Sequence, residues 1–299
     1  MFKKLLFISL LVIGIAVCGQ EPEKKISVEP VKLTDNIYAF KGTKSNSAIL
    51  VGNDGILLID STDKKDFAEE LKRIIEGISK QPIRYLVNTH WHFDHTSGNE
   101  FFGSNGVTII GHAEMSRRAG TQKSSRGEPP VPKIGLPSIT YKNEMTIHLN
   151  GEDVMLVHPT ADKAHTDGDT VVYFKKANVV HTGDLYFEGL YPYIDVDAGG
   201  WINGMIAADQ EILKNIDDRT IVIPGHGPVS DKKKLEAFVA MLSDISAKVT
   251  KMIEEGKSLE EVKALKPTAA YDEVWGKGFL NPDRFTEMVY NGLKRNLKK

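Results

Sequence analysis

The sequence predicts an α/β domain built in layers. Three observations predict it. Short apolar runs bounded by glycine or Asn-Asp-Gly recur between residues 31 and 223. Stretches whose apolar residues repeat at helical spacing lie between and after them. The 299 residues, 41% hydrophobic and 26% charged, have ordinary soluble composition and suffice for one large core.

The N-terminus stands apart. Lys3 and Lys4 precede an apolar stretch over residues 5–17, followed by Cys18, Gly19 and Gln20. That is the order of a secretory signal, and the apolar stretch is shorter than the roughly 20 residues of a membrane span. Cys18 is the chain's one cysteine. Residues 15–18 resemble a bacterial lipoprotein signal, with Val17 bulkier than the Gly or Ala usual there. Lipidation at Cys18 and ordinary cleavage after Gly19 are the two readings; the bland one is a buried helix. The expected location is the periplasm, free or membrane-anchored. A single cysteine permits no internal disulfide, so stability must come from the core and bound metal. Residues 20–30 are polar and read as a tether.

Strands are predicted at 36–41, 47–51 and 56–59, the last two separated by Asn53-Asp54-Gly55, a hairpin signal. Residues 64–79 form a helix with Phe67, Leu71, Ile74, Ile75 and Ile78 on one face and Asp63 as its cap. Further strands follow at 83–87, 107–110, 138–141, 145–149, 154–157, 170–174, 178–181 and 220–223, with a helix at 201–216. Residues 120–137, rich in Gly, Ser and Pro, read as a long loop, either a lid or plain surface. No internal repeat is evident. Beyond residue 230 the chain turns helical. Leu235, Phe238, Val239, Leu242, Ile245, Val249 and Ile253 form one stripe, Ser258 opens a capping box, and Asn281-Pro282 starts a last helix. The domain is therefore expected over 31–230, with a helical extension over 231–299.

The chemistry concentrates at Thr89-His90-Trp91-His92-Phe93-Asp94-His95, directly after a strand. In extended chain, residues two apart point the same way, so His90 and His92 converge while Trp91 and Phe93 turn into packing. A sharp turn, helped by Gly98, would bring Asp94 and His95 to a neighbouring position. One histidine is usually a satisfied polar group; four such ligands in six positions make a metal-site pattern. His165, Asp184 and His226 lie in or beside loops at strand ends, each weak alone and stronger for that shared placement.

His90-x-His92-x-Asp94-His95, then His165, Asp184 and His226, resembles the metallo-β-lactamase superfamily over about residues 31–230. The resemblance implies a four-layer αβ/βα sandwich with the site at one edge. It implies that His90, His92 and His165 hold one ion, that Asp94, His95 and His226 hold a second, and that Asp184 bridges them. Asp60 would orient the histidine loop. The implied chemistry is hydrolysis by a metal-bridging hydroxide, with Asp94 orienting the nucleophile. Oxygen and nitrogen donors suit two Zn(2+) ions and also admit iron or manganese. Trp91, Tyr186, Tyr191 and Tyr193 are candidate pocket residues, with ordinary packing the competing reading. His112, His148, His158 and His181 have no convincing ligand position, although His181 lies three residues before Asp184.

The fold does not settle the substrate. The largest β-lactamase subgroup has Cys at the Asp184 position and Lys where this chain has Phe187. The bridging Asp resembles glyoxalase II, lactonases and related esterases, but the C-terminal part shows no glutathione-binding basic and tyrosine cluster. The expected function is hydrolysis of a small ester, lactone, thioester or amide. A β-lactamase is the alternative, and a non-catalytic zinc-binding protein the alternative of another class. The formal charge of −2 argues against nucleic acid as a partner. The expected partner is a small-molecule substrate, with the membrane reached only through a lipid at Cys18.

Overall fold

A computed structural model describes residues 28–41, 45–62, 65–124, 127, 129–161 and 163–297. The secretory segment, Cys18, most of the tether and the Asp63 cap lie outside the described residues. The tether ends earlier than expected, because residues 29 and 30 belong to the first strand.

Two sheets face each other. The first is ordered β1 to β7: β1 (Glu29–Lys32), β2 (Ile37–Lys41), β3 (Ser47–Leu50), β4 (Ile56–Ile59), β5 (Ile83–Val87), β6 (Thr108–His112) and β7 (Ile139–Tyr141). Pairing is antiparallel from β1 to β4 and parallel from β4 to β7. The second comprises β8 (Glu144–Leu149), β9 (Glu152–Val157), β10 (Val171–Phe174), β11 (Val179–Phe187), β12 (Ile221–His226) and β13 (Ser230–Asp231), stacked in reverse order from β13 to β8. Only β11 and β12 pair in parallel there.

Strand periodicity assigns the layers. In β4, Leu57 and Ile59 face the central core with Val87, Ile110, Leu156, Val172 and Ile223. Ile56 and Leu58, one residue out of phase, face α1 (Lys65–Ile78) and α3 (Asn99–Ser104) through Leu71, Ile75 and Phe102. The outer face of the second sheet packs Val171, Val180 and Val222 against α5 (Ile202–Lys214), α6 (Lys232–Glu254) and α9 (Pro282–Asn296). The result is a four-layer αβ/βα sandwich in which the C-terminal helices help build the last layer.

The predicted stripe of α6 is buried at Leu235, Phe238, Val239, Leu242, Ile245 and Val249, and Asp231 caps it by accepting from Lys234 N. The capping box at Ser258 opens α7 (Leu259–Ala264), and Asn281 caps α9. Sequence periodicity missed the shortest helices, α2 (Phe93–Thr96), α3, α4 (Ala113–Thr121) and α8 (Asp272–Trp275), which hold too few turns to show a stripe. The expected loop at 120–137 yields its first residues to α4. Its far end is pinned beneath α3, where the Asn99 amide donates to the Gly135 carbonyl at 3.0 Å.

Candidate metal centre

The seven candidate ligands come from strand ends at one edge of the sandwich. The chain leaves β5 at Val87 and bends at residues 89–91 instead of running on extended, and His90 and His92 still converge, with His90 Nε2 3.1 Å from His92 Nδ1. His92 is the N-cap of the one-turn α2, and that turn swings Asp94 and His95 round. Gly98 does not make the turn: it caps α3 in ordinary right-handed geometry (φ −84°). Its need is space, since a Cβ there would lie 2.2 Å from the Ser61 carbonyl. Asp184 lies within β11 rather than after it. Register shifts against β12 at Gly183 tilt the strand locally and aim the carboxylate inward. His226 ends β12, where Asn46 donates through its side chain to the carbonyls of Pro224 and Gly227, both at 2.8 Å. Gly225 lets Asp184 in, because a Cβ there would meet Asp184 Oδ1 at 2.0 Å.

Two groups of donors result. His90, His92, His165 and Asp184 form one, and Asp94, His95 and His226 the other, the donor atoms of each lying within 4.8 Å of one another. Asp184 lies between them. Its Oδ2 is 3.7, 3.6 and 3.3 Å from Nε2 of His90, His165 and His226, and its Oδ1 is 3.1 Å from His95 Nε2. Asp94 Oδ2 is 3.4 Å from His226 Nε2 and 3.8 Å from His95 Nε2.

The outer nitrogens decide what the inner ones can do. Thr89 Oγ1 donates to Asp60 Oδ2 at 2.7 Å, so it accepts from His90 Nδ1 at 3.1 Å. His92 Nε2 donates to Asp195 Oδ2 at 2.9 Å, and His165 Nδ1 donates to the Tyr193 carbonyl at 2.7 Å. The inner atoms are then all lone-pair acceptors. Nevertheless, His92 Nδ1 lies 3.1 Å from His90 Nε2 and 2.9 Å from His165 Nε2. Acceptors that close repel unless a cation sits among them, and the separations approach those of nitrogens about 2.0–2.1 Å from a common tetrahedral ion. His95 repeats the pattern: Nδ1 faces Asp60 Oδ2 at 2.7 Å, while its Nε2 and Asp184 Oδ1, buried 3.1 Å apart, make no well-aligned hydrogen bond among the described residues. The residues present fit a bound metal.

Asp60 organises this half of the site. It takes Thr89 N at 2.8 Å as well as the Thr89 hydroxyl and His95. Its backbone has φ 56°, a left-handed geometry uncommon outside glycine, held by the surrounding contacts. A buried amide network supports the same loop: Asn88 and Asn99 exchange hydrogen bonds at 2.8 and 3.1 Å, and Ser61 Oγ donates to Asn99 Oδ1 at 2.7 Å. On the other side Asp169 accepts from His165 N at 2.9 Å, and Arg118 pairs bidentately with Asp167 at 2.5 and 2.6 Å, tying α4 to the His165 loop.

Asp195 was missed by sequence reading. It sits in an Ile-Asp-Val-Asp stretch with no ligand spacing, and only the fold brings it to His92. Among the candidate pocket residues, Tyr193 and Trp91 have rings 5.7 and 5.2 Å from His92. Tyr186 and Tyr191 do not face the site. Both are buried in the outer layer, Tyr186 against Phe238 and Tyr191 stacked on Phe285, with their hydroxyls bonded to Ser230 and Asp272. Of the remaining histidines, His112 stacks on His158, His148 pairs with Asp153 at the surface, and buried His181 approaches the Asn46 carbonyl at 3.3 Å.

Metal-free electrostatics follow from burial and the carboxylates. Burial pushes His165 and His181 down to about 4. Burial would lower His226 too, but Asp184 and Asp94 outweigh it and raise the ring to about 10. Asp94, which burial alone would raise, is held at about 2 by His95 and His226.

A superfamily profile described as "Metallo-beta-lactamase superfamily" matches residues 41–226. A metallo-beta-lactamase type 2 of Elizabethkingia meningoseptica is 26% identical over 261 residues, covering 83% of this chain and 98% of its own. A 2,4-dinitroanisole O-demethylase subunit alpha of Nocardioides sp. (strain JS1661) is 21% identical over 276 residues, covering 89% and 78%. The solved metallo-beta-lactamase from Pontibacter korlensis superposes with a TM-score of 0.62 at 22% identity, over 73% of this chain and all (100%) of that one.

Two predictions follow from the geometry. Asp195→Asn removes the anionic partner of His92 and should weaken metal binding about 10- to 100-fold, measured by competition with a chromophoric chelator, with the fold unchanged by circular dichroism. In the metal-free protein, His165 and His181 stay neutral in the folded state while the unfolded chain takes up protons below pH 6.5. Stability should therefore fall as pH drops from 6.5 to about 4. The raised His226 contributes the opposite limb, present below pH 6.5 and lost as pH rises through about 10. Urea midpoints across this range check both.

Proposed function

The chain belongs to the metallo-beta-lactamase superfamily, and we propose that it serves there as an exported zinc hydrolase of a small ester, lactone, thioester or amide, holding two ions. That it is a metal-dependent hydrolase follows from its family; the metal, its number and the substrate are the proposal. The observation that carries it is the pair of buried donor groups meeting at Asp184. Donors of nitrogen and oxygen only, in groups of this size, suit zinc.

Bound zinc supplies Lewis-acid polarisation of the scissile group and lowers the pKa of water enough for attack near neutral pH. His90, His92 and His165 would hold one ion and Asp94, His95 and His226 the other, with Asp184 common to both. Asp60, Asp195 and the Tyr193 carbonyl fix the ring tautomers that make these nitrogens donors. Asp94 is the carboxylate nearest solvent, its side chain 15% exposed. On the open side and 3.4 Å from His226 Nε2, its part would be to orient the attacking water by accepting a hydrogen bond.

A specific position favours these substrates over β-lactams. Phe187 lies flat on His226, ring centroids 4.8 Å apart at 12°, and is buried, so this position presents no cation to a substrate carboxylate. The β-lactamase reading keeps the support of relatives bearing that name; the relative named for O-demethylation of 2,4-dinitroanisole supports a wider range of reactions. Export rests on Lys3, Lys4 and the apolar run to Cys18.

The zinc-loaded protein should hydrolyse members of an ester, lactone and thioester panel and leave a chromogenic cephalosporin nearly untouched. Activity should vanish with chelator, return with zinc, and be absent from His90→Ala; efficient cephalosporin turnover would replace this reading by the β-lactamase one. Asp94→Asn should lower kcat about 100-fold or more, consistent with loss of the anionic acceptor that orients the attacking water. Expressed in a bacterium with its first 19 residues, the protein should fractionate outside the cytoplasm, with Cys18→Ser distinguishing a lipid anchor from free release; retention in the cytoplasm would overturn the export part.

A further inference from the structure

The ligands of the metal centre differ in exposure. The side chains of His90, His95 and His165 are 0–1% exposed, that of His92 7%, and those of His226 and Asp94 11% and 15%. The widest opening is over Asp94 and His226. The ring of Phe279 stands beside that opening, its centroid 6.3 Å from His226 and 6.4 Å from Phe187. The residue is 57% exposed.

Single exposed apolar residues need no special explanation. Leu265, Val274 and Leu297 are comparably exposed in the same C-terminal region. Phe279 differs in two ways. Its ring stands beside a candidate metal ligand on the open side, and its backbone is anchored on both flanks. Before it, the Trp275 carbonyl accepts from Tyr191 N at 2.9 Å, and Gly278 lies so close to Leu190 that a Cβ would come within 2.6 Å of it. After it, Leu280 is buried and Asn281 caps α9, whose Phe285 stacks on Tyr191 at 4.5 Å. An aromatic ring held out of the core by packed neighbours, next to the reacting position, has the form of a binding surface.

We propose that Phe279, delivered by the C-terminal helical extension and backed by the buried ring of Phe187, contacts the substrate and presents an uncharged aromatic wall that selects an aryl or similarly flat apolar group next to the scissile bond. The proposal rests on the hydrolase reading above and narrows its substrate class. The wall rewards offset or edge-to-face contact with a second ring and has nothing to offer a small alkyl group.

The test compares phenylacetyl and acetyl thioesters of one small thiol, using the zinc-loaded protein and its Phe279→Ala, Phe279→Leu and Phe279→Tyr variants. Binding of the products phenylacetate and acetate is measured alongside by calorimetry. The expected result is a preference for the phenylacetyl thioester that falls about 3- to 10-fold in Phe279→Ala, mainly through KM, and persists in Phe279→Tyr. Phenylacetate binding should weaken by the same factor, with acetate binding and zinc content unchanged. Equal losses on both thioesters, or none, would overturn the proposal, since packing alone does not discriminate between them. If the wild-type protein turns over neither thioester, the hydrolase reading fails for these substrates while product binding still decides the role of Phe279: weaker phenylacetate binding in Phe279→Ala upholds it, and unchanged binding sinks it.

Discussion

Three imidazole nitrogens with their lone pairs turned toward one another, two of the contacts at 2.9 and 3.1 Å, set the terms for this structure. Without a cation the arrangement is repulsive, and burial denies the rings the water that would relieve it. The fold must therefore hold them there. It does so by giving the outer N–H groups acceptors: a threonine hydroxyl that Asp60 orients, Asp195, and the Tyr193 carbonyl. Removing one of these lets a ring turn or change tautomer, and the donor set is lost even though every ligand residue remains.

The sandwich makes such holding feasible. Ligands from β5, β11 and β12 meet because those strands end at the same edge of two facing sheets. The core between the sheets, from Leu57 and Ile59 to Val172 and Ile223, fixes their separation. Close-packed interiors of this kind resist displacement, so the site inherits the stiffness of the core. Local departures from regular geometry cluster at the same edge: the left-handed Asp60, the register shifts in β11, and Gly225 pressed against Asp184.

Much of this was legible in the chain. Strand and helix periodicity predicted the layers because each element buries a face, and the ligands were legible because histidine and aspartate at fixed offsets are rare without a metal. What sequence spacing conveyed poorly was anything set by long-range approach. Asp195 reaches His92 across 103 positions, and nothing in its neighbourhood marks it. Gly98 suggested a turn and is needed for space instead. Tyr186 and Tyr191 are near Asp184 in the chain but belong to a strand and loop whose other face meets α6 and α9, so proximity in sequence misled. Most helices of one or two turns escaped because they carry no period; α7 was legible through its capping box instead.

The shared carboxylate has a wider consequence. Asp60 is bonded at once to Thr89, which sets the tautomer of His90, and to His95, so one residue governs a donor in each group; Asp184 lies between both groups as well. On the two-ion proposal, occupancy of one group would be felt at the other, with the same influence in both directions because linkage is reciprocal. The joint loading curve, more than either affinity alone, would then set how much of the protein is competent at a given metal supply.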